Sequence, residues 1–181
     1  GRRLSVSATG PRSVEEFQEI RARGAASVLI HSSFLVRKQH LDQIGGYNFG
    51  LDGCEDLDLL DRLGEIGPFV AIEEKLMERR LHEASITMQS FMKMQHITRY
   101  IETRRQALNA GEPFMSFEDF LRTEDQKPLS TRVWRGVRDR AHRHYRKAAL
   151  AYAQRRYSVT VRHFLLSALF HPSYALCRAW E

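Results

Sequence analysis

Two adjacent carboxylates, Glu55 and Asp56, stand where a helix should begin, and Leu57, Asp58, Leu59, Leu60, Asp61 and Arg62 follow them. Leu57, Leu60 and Leu63 recur at a spacing of three with Leu59 beside them, the pattern of an apolar helix face. At the start of such a helix, free backbone N–H groups and the helix dipole hold a carboxylate ionised. Placed at a loop-to-helix junction, that carboxylate is suited to take a proton from a bound hydroxyl. The plainer alternative is the acidic first turn of a solvated helix, where each acid adds only about 0.3–1 kcal/mol. A histidine, His82, follows two arginines, Arg79 and Arg80. Two serines, Ser32 and Ser33, follow His31, but no G-x-S-x-G elbow surrounds them, so a serine nucleophile is set aside. His82-Glu83 does not open a zinc-protease motif, because position 86 is Ile.

The elements that must position these groups are short. Ser13 is a plausible N-cap for a short helix with acids in its first turn. Ala25–Ile30 is an apolar run rich in Val and Ile and predicts a buried strand, which Phe34–Val36 continues or repeats. Lys38–Ile44 predicts one or two helical turns stopped by Gly45-Gly46. Phe69–Ile72 and Lys75–Leu81 predict two more strands. Arg79 and Arg80 alternate in the last, so only one can face a cleft; Arg79 shares the face of Leu81.

Taken in order, these pieces read Ser27 to Lys38, then Ile44-Gly-Gly-Tyr-Asn48, then Glu55 to Arg62, then Glu78-Arg-Arg-Leu-His82. This order and spacing resembles the second half of an inverting family 2 glycosyltransferase of the GT-A fold. The resemblance covers roughly a third of the chain. It implies Asp56 as the general base, with Glu55 orienting the acceptor or the base. Gly45 and Gly46 would shape an acceptor-side turn where a side chain would obstruct approach, with Ser33 nearby. Arg79 or Arg80 would face the donor diphosphate, and His82 the diphosphate and a divalent metal (Mg or Mn). It implies a nucleotide-sugar donor and a glycan or lipid-linked acceptor, such as a bacterial surface polysaccharide. The family's nucleotide-binding half and its Asp-x-Asp metal motif have no room in the first 26 residues, so the expectation is a C-terminal portion, inactive alone, with most metal ligands elsewhere. Asp56-Leu57-Asp58 fits Asp-x-Asp literally, but the family's motif belongs on a strand end.

The expected fold class is therefore α/β (a partial GT-A domain lacking its nucleotide-binding half) over residues 1–85, followed by an all-α extension over 86–181, mostly helical overall. Ile86–Asn109 has helical periodicity, with Met88, Phe91, Met92 and Met94 as core or interface filler. Phe117–Leu121 predicts a short helix and Glu124–Ser130 a polar linker. Thr131–Gln154 and Val159–Phe170 predict a hairpin closed by Pro172. Around Ala148–Pro172 that hairpin resembles one tetratricopeptide-type unit.

Charge divides the chain farther along. Residues 1–126 sum to −4 and residues 127–181 to +10. Arg135, Arg138, Arg140, Arg143, Arg146 and Lys147 form a basic run with His142, His144 and Tyr145 interleaved. A solvated helix face is the plain reading; peripheral contact with an anionic membrane is the functional one. Nucleic acid ranks below both, since no recognised binding motif accompanies the charge. A non-enzymatic helical module using this tail on a membrane, nucleic acid or protein partner is the alternative to a transferase. No apolar run approaches the ~20 residues of a membrane span. Cys54 and Cys177 lack CxxC spacing and are expected as thiols in a cytoplasmic, at most membrane-peripheral, chain.

Overall fold

A computed structural model describes residues 9–27, 29–51, 53–74, 76–78 and 90–179. Among them all regular structure is helical and no strand is present, which overturns the α/β expectation. Ile30 and Phe34 have extended backbones, but a 3-10 turn at His31–Ser33 separates them. A strand needs a ladder of partners, and sequence alone shows only that a segment suits one. Here the apolar segments meet through side chains instead. One backbone bond, Ala71 N–H to Pro11 C=O at 2.6 Å, ties Phe69–Ile72 to the loop that precedes the first helix. A Cβ on Gly10 would lie 2.3 Å from the Leu29 side chain. Phe69 meets Phe17 edge-on at 4.8 Å. The expected strand over 75–81 and the expected boundary near 85 fall largely outside the described residues.

The chain groups into two compact units. One comprises Val6–Arg79 and Lys93–Phe117; the other comprises Gly1–Ser5, Arg80–Met92 and Glu118–Glu181. In the first, α1 (Val14–Ala22) begins at Ser13, whose hydroxyl accepts the Glu16 N–H at 3.1 Å, as its cap chemistry predicts. Next come α2 (Lys38–Gln43) and α3 (Glu55–Ile66). Most of α4 (Phe91–Asn109) completes the unit.

Helix α3 is buried on more than its leucine face. Asp58 and Asp61 are 0% and 3% exposed, so the solvated-face reading of these two acids fails. Their stripe, continued by Glu65, meets arginines from two other helices, α4 and α1. Arg104 bridges Asp58 and Asp61 at 2.8 Å each. Arg105 donates to Asp61 and Glu65 at 2.9 Å. Arg21 reaches the Asp61 carbonyl at 3.1 Å. Burial would lower the Arg104 pKa, but hydrogen bonds and charge from Asp61 and Asp58 raise it; burial and Arg105 together lower that of Arg21. Buried charge persists only when paired in this way. Gly64 makes room for the arrangement, since a Cβ there would sit 2.4 Å from the Arg21 guanidinium.

The second unit contains most of α5 (Phe117–Gln126), then α6 (Leu129–Ala153), α7 (Tyr157–Phe170) and α8 (Pro172–Ala179). Pro172 opens α8 rather than ending the array. The first helical position tolerates proline because its missing N–H is not needed there. Helices α6 and α7 form the expected hairpin. Its α6 face is small: Ala141, Ala148 and Ala151 are buried. Buried Ser167 of α7 donates to the Ala141 carbonyl across the gap at 2.8 Å. The interleaved His142 stacks on Tyr174 at 3.8 Å, so part of the basic run's aromatic content packs this unit. Arg135 and Lys127 pair with Glu124, whose carboxyl stays low although burial alone would raise it.

His144 and His163 face each other across the hairpin with Nδ1 atoms 2.9 Å apart. Burial, then His163, Lys147, Arg143 and Arg162, push the His144 pKa below its ordinary 6.5. The unfolded histidine therefore binds more protons than the folded one below that value, so stability is lost as pH falls through it. The thermal midpoint is expected to drop between about pH 7.5 and 5.5. The drop should shrink in His144→Phe, which differential scanning fluorimetry across pH will report.

No described helix is long and apolar enough to cross a membrane.

Candidate active site

Helix α2 ends in a left-handed turn. Gly46 N–H returns to the Leu41 carbonyl at 2.9 Å and Gly45 N–H to the Asp42 carbonyl at 3.2 Å. Gly45 and Gly46 have φ of 74° and 70°. A Cβ at either would meet nothing within 4 Å. Within the chain itself, what demands glycine at both positions is the left-handed backbone conformation and not packing. Gly46→Ala should cost about 1–2 kcal/mol through that conformation. A urea titration reads the loss, and an unchanged midpoint would contradict it.

The turn is fastened to α3 by one side chain. Arg62 donates from Nη1 to the Ile44 carbonyl and from Nη2 to the Gly46 carbonyl, both at 2.7 Å, and from Nε to Asp58 at 2.8 Å. All three contacts use a rigid guanidinium fork that lysine could not reproduce. The Gly-Gly turn and the acidic helix thus belong to one assembly.

At the head of α3, Asp56 Oδ1 accepts the Leu57 N–H at 2.8 Å. Its Oδ2 has no hydrogen-bond partner among the described residues. Glu55 is committed differently, since its Oε2 accepts the Gly53 N–H at 2.7 Å and so braces the loop entering the helix. Cys54 is buried behind them. Burial, then the charges of Asp56 and Glu55, push its thiol up to about 12, so it remains protonated. Both cysteines are free thiols.

The serine segment joins the same unit. Ser33 is exposed and its hydroxyl donates to the Ile30 carbonyl at 2.8 Å, which closes the 3-10 turn. His31 Nε2 lies 2.6 Å from the Tyr47 hydroxyl, tying this turn to the residue after Gly46. Ser32 donates to the Met77 sulfur at 3.4 Å. Met77 therefore lies beside the serine turn. Arg79, Arg80 and His82 themselves lie outside the described residues.

Asp56 and Asp58 do not fit a metal pair. Both oxygens of Asp58 accept from arginines, Oδ2 from Arg62 and Oδ1 from Arg104. Among the described residues no group of three His, Cys, Asp or Glu side chains could hold a metal ion.

The residues that organise this site and that periodicity does not find are Arg62, Arg104, Arg105 and Arg21. Spacing gave one signal: Asp58 to Arg62 is an i, i+4 pair. The stripe Asp58, Asp61, Glu65 at steps of three and four gave another, since it marks a second helix face needing either water or cations. Comparison with known protein families, with curated proteins and with solved structures finds no match, so the site is read from its own geometry.

Proposed function

We propose that this chain carries the acceptor-side, proton-accepting part of an inverting, nucleotide-sugar-dependent glycosyltransferase. The observation that supports it most is the Arg62 clamp, which makes the Gly-Gly turn and the Glu55–Asp56 helix start one rigid piece. The reading does not rest on a sheet.

Asp56 takes the hydroxyl proton of a glycan or lipid-linked acceptor on Oδ2. The Leu57 N–H on Oδ1 fixes the carboxylate plane meanwhile. The freed oxygen attacks the anomeric carbon of the donor sugar, the bond from that carbon to the phosphate oxygen breaks, and the nucleoside diphosphate leaves. One displacement inverts the anomeric centre. Glu55 holds the entering loop through Gly53, so it positions Asp56 rather than touching the acceptor. No metal-dependent step is assigned to the described residues.

The test is the anomeric configuration of the product formed by the full-length protein from a panel of nucleoside diphosphate sugars, read by NMR. Inversion relative to the donor is expected. A product that retains the donor configuration, or no transfer from any donor by folded protein, overturns the reading.

A further inference from the structure

We propose that the outer face of α7 docks on an anionic lipid bilayer. Tyr157, Val161, Leu165 and Leu169 recur every fourth residue and so run along one side of the helix. They are 57%, 57%, 61% and 76% exposed. The opposite side of α7 is already used within the hairpin, by Ser167 on the Ala141 carbonyl and by His163 against His144. The helix therefore has an occupied inner face and an apolar outer face in water. Exposed apolar rows of this kind mark interaction surfaces rather than ordinary solvated helix.

Charge selects the occupant. Between Leu129 and Ala179 the sequence holds one acidic residue, Asp139, and it is 2% exposed. No carboxylate from these helices reaches the surface near the apolar row. Exposed arginines border it instead: Arg162 on α7, and Arg155 and Arg156 in the turn that leads into it. Arg155 holds φ at 60°, a left-handed position that glycine adopts more cheaply.

A second copy of the chain on this face would bring two arginine-bordered rows together with no acid between them. A nucleic-acid strand would meet aliphatic side chains along the centre of the face, where it offers little to bind. A bilayer with anionic headgroups matches both features, with phosphates opposite the arginines and acyl chains beneath the row. Helices with this division lie in the interface plane, about 5–10 Å deep. At 14 residues, α7 spans only about 21 Å, too short for a hydrocarbon core of about 30 Å. It lies on the membrane and does not cross it. This inference stands apart from the glycosyl-transfer reading.

Sedimentation of the purified chain with vesicles tests it. The chain should bind phosphatidylcholine vesicles containing phosphatidylglycerol, bind pure phosphatidylcholine at least about tenfold more weakly, and lose binding as salt is raised. Leu165→Asp with Leu169→Asp should cut partition into the anionic vesicles by at least about tenfold. Helicity by circular dichroism should be unchanged, since both positions are exposed. Arg155→Gln with Arg156→Gln, which leaves the apolar row intact, should weaken binding to the anionic vesicles only. Three results overturn the proposal: no binding by the folded wild type, equal binding to neutral and anionic vesicles, or undiminished binding by the aspartate variant. Dimerisation in analytical ultracentrifugation that the same aspartates abolish also overturns it, because the face is then a contact between copies.

Discussion

Asp61→Asn is expected to destabilise the first compact unit by about 3–5 kcal/mol, the cost of breaking a buried ion pair from one side. Asp61 receives Arg104 and Arg105 on its carboxylate at 2.8 and 2.9 Å, and Arg21 on its carbonyl. Arg105 is 5% exposed and cannot turn to water when its partner becomes neutral. An asparagine keeps the volume and one acceptor but leaves positive charge uncompensated. Set against a folding free energy of about 5–15 kcal/mol, this loss is a large share of the total. Urea unfolding should show a much lower midpoint with the same slope. Glu65→Gln is the control, because Glu65 is 48% exposed and its exposed pairing is worth only about 0–1 kcal/mol. Equal losses from the two variants would contradict the buried-network account.

Asp56→Asn is expected to do the opposite: leave stability nearly untouched and remove activity. The asparagine carbonyl can still accept the Leu57 N–H that Asp56 Oδ1 holds. What disappears is a base at Oδ2. General-base catalysis contributes about 10²–10⁴-fold, so kcat for sugar transfer should fall by about three orders of magnitude. KM for the donor should change little, since Asp56 is assigned to the acceptor. A melting temperature within a degree or so of wild type, about what a surface substitution costs, separates this loss from unfolding. Transfer at the wild-type rate would remove Asp56 from the mechanism.

Local signals were legible in the sequence and non-local ones were not. The Ser13 cap, the Gly45-Gly46 stop, the start of α3 and the α6–α7 hairpin each depend on residues within a turn or two of one another. The strands over Ala25–Ile30 and Phe69–Ile72 were not local facts, because a ladder needs a partner the segment does not name. The arginine network was hidden for the same reason: Arg104 and Arg105 lie more than 40 residues from Asp61 in the chain. A solvated acidic turn therefore stays open as an alternative in the sequence, although Asp58 and Asp61 are both buried. On α7 the deception runs the other way. Val161, Leu165 and Leu169 have the periodicity of a core face and stand in solvent, because alanines and Ser167 form the hairpin contact. Gly45 and Gly46 stop their helix as the sequence suggests, and their left-handed φ, which the sequence does not show, is what requires glycine there.

The central claim is that Asp56 is the proton acceptor of a glycosyl transfer, and rescue by a small carboxylate tests it most directly. Transfer by full-length Asp56→Gly should be reduced by about 10²–10⁴-fold, the range of a missing general base. Added formate, seated where the side chain was, should restore it in proportion to formate concentration, with no effect on wild type and with the anomeric centre still inverted. Wild-type transfer by the unrescued Asp56→Gly protein would contradict the claim, because the proton would then be leaving by another route.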